Sequence, residues 1–75
     1  MKISESLVPL VVNGEPREVP PDLTVRELLA YLKLSPDRPG VAVAVNDRVV
    51  RRSQWATHVL RPGDRVEIIT ATQGG

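Results

Sequence analysis

Seventy-five residues at 8.2 kDa make one small domain, and 23 of them are Val, Leu or Ile, enough aliphatic material to leave the disordered range of composition. The absence of cysteine removes disulfides, thiolate metal sites and thiol nucleophiles, and a single histidine cannot build a metal centre. Ten basic residues interleaved with nine acidic ones leave a net charge of +1, which is no nucleic-acid footprint, and no apolar run approaches the roughly 20 residues of a membrane helix; a cytoplasmic protein with neither partner is expected.

In chain order, residues 1–9 mix single apolar side chains with polar ones and end in Pro9, which cannot donate to a ladder. They are expected to form a loose leader. Leu10–Val12, Asn13-Gly14 and Pro16–Val19 then place the strongest short hairpin signal between two extended runs, with Leu10 and Val12 facing the core. Pro20-Pro21-Asp22 breaks the second strand, and Thr24 with Glu27 forms a T-x-x-E capping box. Behind it, Val25, Leu28, Leu29 and Leu32 make one apolar stripe at helical spacing. The prolines at 36 and 39 are expected to end this helix by about Leu34.

Val41-Ala42-Val43-Ala44-Val45 predicts a well-covered strand with large residues on one face and small ones on the other. Asn46-Asp47 turns the chain, Arg48–Arg51 is expected to return, and Ser53–Leu60 has no regular pattern. Arg61-Pro62-Gly63-Asp64 carries proline and glycine where a type II turn needs them. The alternation of Arg65-Val66-Glu67-Ile68 then points Val66 and Ile68 inward and Ile69 outward. With a valine-rich core and one helix able to cover one face, the order predicts an α+β roll of the β-grasp kind, a mixed sheet of four to five strands in a single domain over residues 1–75.

Catalytic machinery is not legible: there is no glycine-rich phosphate loop, G-x-S-x-G or H-E-x-x-H. His58 and Trp55 are read as packing residues, and Arg51-Arg52 with Arg48 as a solvated basic face that is also a candidate for docking. The end of the chain differs. Thr70-Ala71-Thr72-Gln73-Gly74-Gly75 carries no large apolar anchor, so residues 70–75 are expected to be a mobile tail able to thread a narrow channel and deliver the terminal carboxylate to another protein. That carboxylate, ionised at neutral pH, is able to attack a nucleotide α-phosphate and form a mixed anhydride. Such an anhydride donates its acyl group to a sulfur nucleophile, which this chain cannot supply.

Taken in order, Asn13-Gly14-Glu15, the Thr24–Leu32 segment, Val41–Asn46, Val50-Arg51-Arg52-Ser53-Gln54-Trp55 with His58 after it, Gly63-Asp64 and terminal Gln73-Gly74-Gly75 resemble the sulfur carrier family of thiamine biosynthesis, ThiS. The likeness spans residues 10–75, and the stretch before Leu10 is longer than that family's usual start. The resemblance implies a ubiquitin-like β-grasp fold and no catalysis by the chain itself. It implies Gly75 as the residue adenylated and converted to a thiocarboxylate, with Gly74 and Gln73 as the hinge before it. ATP and Mg would come through an adenylating partner, sulfur from a cysteine desulfurase or similar donor, and thiazole synthase would be the acceptor. Molybdopterin-synthase small subunits and ubiquitin-like modifiers or tRNA-thiolation carriers end the same way and are the alternatives; Gln54-Trp55 favours thiamine. From the alternation of the last strand, Ile69 is a docking candidate, with Arg51 and Arg52 as a polar rim if the return strand lies beside it.

Overall fold

The computed structural model describes residues 6–71. Five strands, β1 (Val8–Val12), β2 (Glu15–Val19), β3 (Val41–Val45), β4 (Arg48–Val50) and β5 (Arg65–Thr70), and one helix, α1 (Val25–Tyr31), follow the expected order. The sheet order is β2-β1-β5-β3-β4, with β1 and β5 parallel and every other pair antiparallel. This is the mixed five-stranded β-grasp sheet. The face that packs on the helix buries Leu10, Val12, Val19, Val43, Val45, Val66 and Ile68 together with Val25, Leu28 and Leu29 of the helix, so the alternation read from each strand holds.

Two boundaries move. β1 begins at Val8 rather than after Pro9, pairing Val8 with Val19 and Pro9 with Glu18. Proline is tolerated inside this internal strand because β5 pairs with it only from Val11 onward, and the Pro9 carbonyl still accepts from the Gly63 amide at 2.7 Å. At the other end, Thr70 belongs to β5 rather than to the tail.

Helix α1 starts with both halves of the capping box formed, Glu27 N–H donating to Thr24 Oγ1 and Thr24 N–H to Glu27 Oε1. The two amides that the box leaves over, Val25 and Arg26, donate to the carbonyls of His58 and Trp55. All orphan donors of the first turn are therefore matched. This is the order hidden in the irregular stretch before Leu60: a 3₁₀ turn at Arg52–Gln54, buried Trp55 with its indole N–H on the Val50 carbonyl at 2.9 Å, a bridge from Val59 to Thr24, and Leu60 N–H on the Leu23 carbonyl. The segment is a belt around the helix N-terminus, shaped by the groups it satisfies.

The helix stops earlier than expected, at Tyr31. Lys33 adopts φ +65°, and the amides of Lys33 and Leu34 donate to the carbonyls of Ala30 and Leu29, the double bond pattern of a Schellman cap. Sequence reading sought the stop at the prolines because the cap uses lysine where glycine is usual. A left-handed lysine costs more than glycine at this position. Lys33→Gly is expected to stabilise the domain by about 0.5–1 kcal/mol, roughly 2–8 °C in Tm for a domain of this size; thermal denaturation followed by circular dichroism checks it.

Candidate functional site

Strand β5 leads into the C-terminal segment, so the structure around its far end is where a reactive terminus would be aimed. It lies in the middle of the sheet, hydrogen-bonded to β1 on one side and β3 on the other. On the β1 side the ladder runs out early, since β1 pairs only Val11 with Arg65 and Val12 with Val66. Beyond that point the side chain of Asn13 replaces a strand. Its Oδ1 accepts from the Ile68 amide at 2.7 Å, its Nδ2 donates to the Ile68 carbonyl at 3.2 Å, and its own amide donates to the Val66 carbonyl at 2.8 Å. Asn13 has φ +51° and Gly14 φ +82° in the β1–β2 turn, a primed hairpin geometry that asparagine tolerates and that aims the carboxamide at β5.

Asn46 does the same at the start of the strand. From the β3–β4 turn its Oδ1 accepts from the Arg65 amide at 2.9 Å, its Nδ2 donates to Asp64 at 3.0 Å, and its amide donates to the Arg65 carbonyl at 2.7 Å. Both turns were legible in the sequence. The side-chain clamps were not, and no local signal could have found them, because Asn13 and Ile68 are 55 positions apart.

After β5, the Ala71 amide donates to the Gly40 carbonyl at 2.8 Å. Gly40 has φ +85°, which favours glycine, and a Cβ there would also lie a tight 3.3 Å from the Ala71 Cβ. The exit is thus held from Asn13, Gly40 and β3 together. Gly75, Gly74 and Gln73 lie outside the described residues.

Ile69 pairs with Ala42 and is 63% exposed, on the sheet face opposite the helix, as its alternation implied. Ala44 and exposed Val49 share that face one rung on. The condition for an arginine rim is not met. β3 separates the return strand from β5, and Arg52 is occupied inside the molecule: its guanidinium donates to the carbonyls of Pro36 and Arg38 and stacks on the Trp55 ring at 4.5 Å from the centroid. Arg52 is therefore a clamp on the loop before β3, while Arg51 is exposed. His58 is half-buried with its carbonyl in the helix cap, and Trp55 is a core residue. Among the described residues no cluster of His, Asp or Glu could hold a metal, and no helix is long and apolar enough to cross a membrane.

The model of the ThiS family matches residues 10–75. The chain belongs to the ThiS family. Similar proteins include the sulfur carrier protein ThiS of Escherichia coli K12, 32% identical over 88% of this chain and 97% of that one. A thiazole synthase of Paramagnetospirillum magneticum is 38% identical over 88% of this chain, which there corresponds to 20% of the protein's length. Among solved structures, the crystal structure of the thiamine biosynthesis protein ThiS from Geobacter metallireducens superposes with a TM-score of 0.77 at 34% identity, covering 91% of this chain and 100% of that one.

The Asn13 clamp makes a prediction for this ThiS family member. Asn13→Ala removes both bonds to Ile68 and is expected to cost about 3–4 kcal/mol, the sum of two hydrogen bonds and a left-handed alanine. Asn13→Asp retains the acceptor and should keep the Ile68 amide slow to exchange while still losing stability. Hydrogen exchange at Ile68 together with urea denaturation distinguishes the two variants.

Proposed function

We propose that this chain is a sulfur carrier of thiamine biosynthesis, a protein co-substrate rather than a catalyst, with Gly75 as the residue that bears the sulfur. The observation that carries the reading is membership of the ThiS family over a match that runs through the terminal Gly-Gly. The presence of a similar domain inside a protein named thiazole synthase supports thiazole synthase as the acceptor. The rigid support of β5 by Asn13, Asn46 and Gly40 supports a division of labour in which the folded domain is a handle and the terminus is the reagent.

In this reading an adenylating partner binds ATP and Mg, and an oxygen of the Gly75 carboxylate attacks the α-phosphorus. Pyrophosphate leaves and an acyl-adenylate remains. The terminal sulfur of a persulfide, supplied by a cysteine desulfurase or similar donor, then attacks the acyl carbon and displaces AMP, and a thiol reductant supplies the two electrons that cleave the resulting acyl disulfide, leaving a thiocarboxylate. Transfer to thiazole synthase consumes it. The exposed Ile69 and Ala42 pair, one rung before the exit, is the docking surface proposed for the adenylating partner, because an apolar patch beside a reactive terminus can hold a partner while the terminus enters its active site.

Incubation with the adenylating enzyme, Mg-ATP and a sulfur donor should raise the intact mass by about 16 Da, oxygen replaced by sulfur, with the whole increment in the C-terminal peptide. Deletion of Gly75 should abolish the increment and change stability by no more than about 0.5 kcal/mol. An increment elsewhere, or conjugates heavier than the 8.2 kDa chain, would point to a different role. Ile69→Asp should leave the fold intact and weaken binding of the adenylating enzyme by more than about 1 kcal/mol, whereas Val66→Asp should unfold the domain by burying a charge; calorimetric titration and circular dichroism measure both.

A further inference from the structure

The end of the sheet remote from the exit carries a feature that the sulfur chemistry does not use. Between β4, the belt and the start of β5 lies an open groove of about 720 Å³ whose walls include Arg48, Val49, His58, Val59 and Arg61. Val49 is 78% exposed, more than any other large apolar side chain among the described residues, and Val59 is 47% exposed. Neither Arg48 nor Arg61 has a carboxylate within ion-pair distance among the described residues, where the pairs are Arg26–Asp37 and Arg65–Asp47. The one acidic group in the wall, Asp64, is already engaged, accepting from Asn46 Nδ2 and from the Arg61 amide. The groove thus presents a net positive charge, two guanidinium groups against one carboxylate, beside exposed valine.

The backbone adds a direction. β4 is an outer strand, joined to β3 through Asn46-Asp47, both at positive φ (52° and 70°), a two-residue primed turn. Such a turn makes its flanking residues, Val45 and Arg48, a hydrogen-bonded pair, so the next pair, Ala44 and Val49, is the wide one, and the N–H and C=O of Val49 point away from β3. The opposite edge, β2, is blunted by Pro16 and by the charges of Glu15, Arg17 and Glu18, the usual protection against pairing. The β4 edge carries an open peptide unit and an uncovered valine instead.

We propose that this groove is a second docking site, which takes an extended segment of a partner protein with acidic and aliphatic residues in alternation. The segment adds to the β4 edge at Val49, its carboxylates meet Arg48 and Arg61, and its aliphatic side chains cover Val49 and Val59. Charge complementarity selects the acidic segment, and the edge selects an extended one. The groove lies about 17 Å from the exit along β5, five rises of a strand, while Val49 shares the sheet face of Ile69. The inference does not depend on the sulfur-carrier reading.

The test titrates the ¹⁵N-labelled full chain with a blocked pentapeptide alternating valine and aspartate, with its valine–lysine counterpart, and with inorganic phosphate. Expected are amide shift changes confined to Arg48–Val50 and Val59–Arg61, cross-strand contacts from the peptide to Val49, and at least about tenfold weaker binding of the lysine peptide. The double variant R48E/R61E should lose about tenfold in affinity with its other resonances unmoved. Val49→Pro removes the outward N–H together with the exposed valine side chain, a change an edge strand tolerates, and should abolish the cross-strand contacts in a domain that remains folded. Equal binding of both peptides, shifts confined to Ala42, Ile69 and Ala71 rather than Arg48–Val50, or competition by phosphate as effective as the aspartate peptide would each overturn the proposal.

Discussion

A strand in the middle of a sheet needs partners along both sides, and β5 is given a partner on the β1 side for only part of its length. The remainder is completed by one carboxamide. Asn13 presents an acceptor and a donor on one planar group, so it mimics the peptide unit that β1 lacks, and it meets both polar groups of Ile68. Without it, an amide and a carbonyl in the part-buried wall of the sheet would lose their partners, a loss on the order of 1–3 kcal/mol for each unsatisfied group. Asn46 repeats the device at Arg65. Packing of Val66 and Ile68 against the helix depends on the register that these two turns hold.

The belt from Arg52 to Leu60 serves the helix in a parallel way. A seven-residue helix has little intrinsic stability, and its capping box satisfies only two of the four first-turn amides. The carbonyls of Trp55 and His58 accept the other two, and the indole of Trp55 fills the core beneath. Arg52 then fastens the loop before β3 through two carbonyls while its own charge lies on the indole face, an arrangement suited to a planar guanidinium and not to an ammonium. One short segment with no regular secondary structure of its own joins helix, core and loop.

Features that depend on near neighbours in sequence were legible. The capping box, the alternation that sent Ile69 outward, the Asn13-Gly14 hairpin and the proline–glycine turn at Arg61–Asp64 each rest on local sterics. What escaped was tertiary. The belt has no periodicity because its conformation answers to the helix amides; the helix end was displaced because Lys33 accepts a conformation normally left to glycine; and the fate of Arg52 was decided by carbonyls 14 and 16 positions away. Of the candidate site, Ile69 stands where it was expected, Arg51 and Arg52 are separated from it by β3, and the glycines of the terminus lie outside the described residues.

The placement of β5 also sets an order of assembly. β1 with β2 and β3 with β4 are each joined by a two-residue turn, so both hairpins close over short loops and can form within microseconds. β5 joins the two halves only after β1, more than 50 positions earlier, has been brought alongside it, and such distant pairing is what slows folding in domains of this kind. The last strand in sequence is therefore the keystone, and any excursion that frees it separates the two hairpins from each other. A terminus borne by that strand has a firm base only while the entire domain is intact, so a partially unfolded molecule could not offer it in the same orientation.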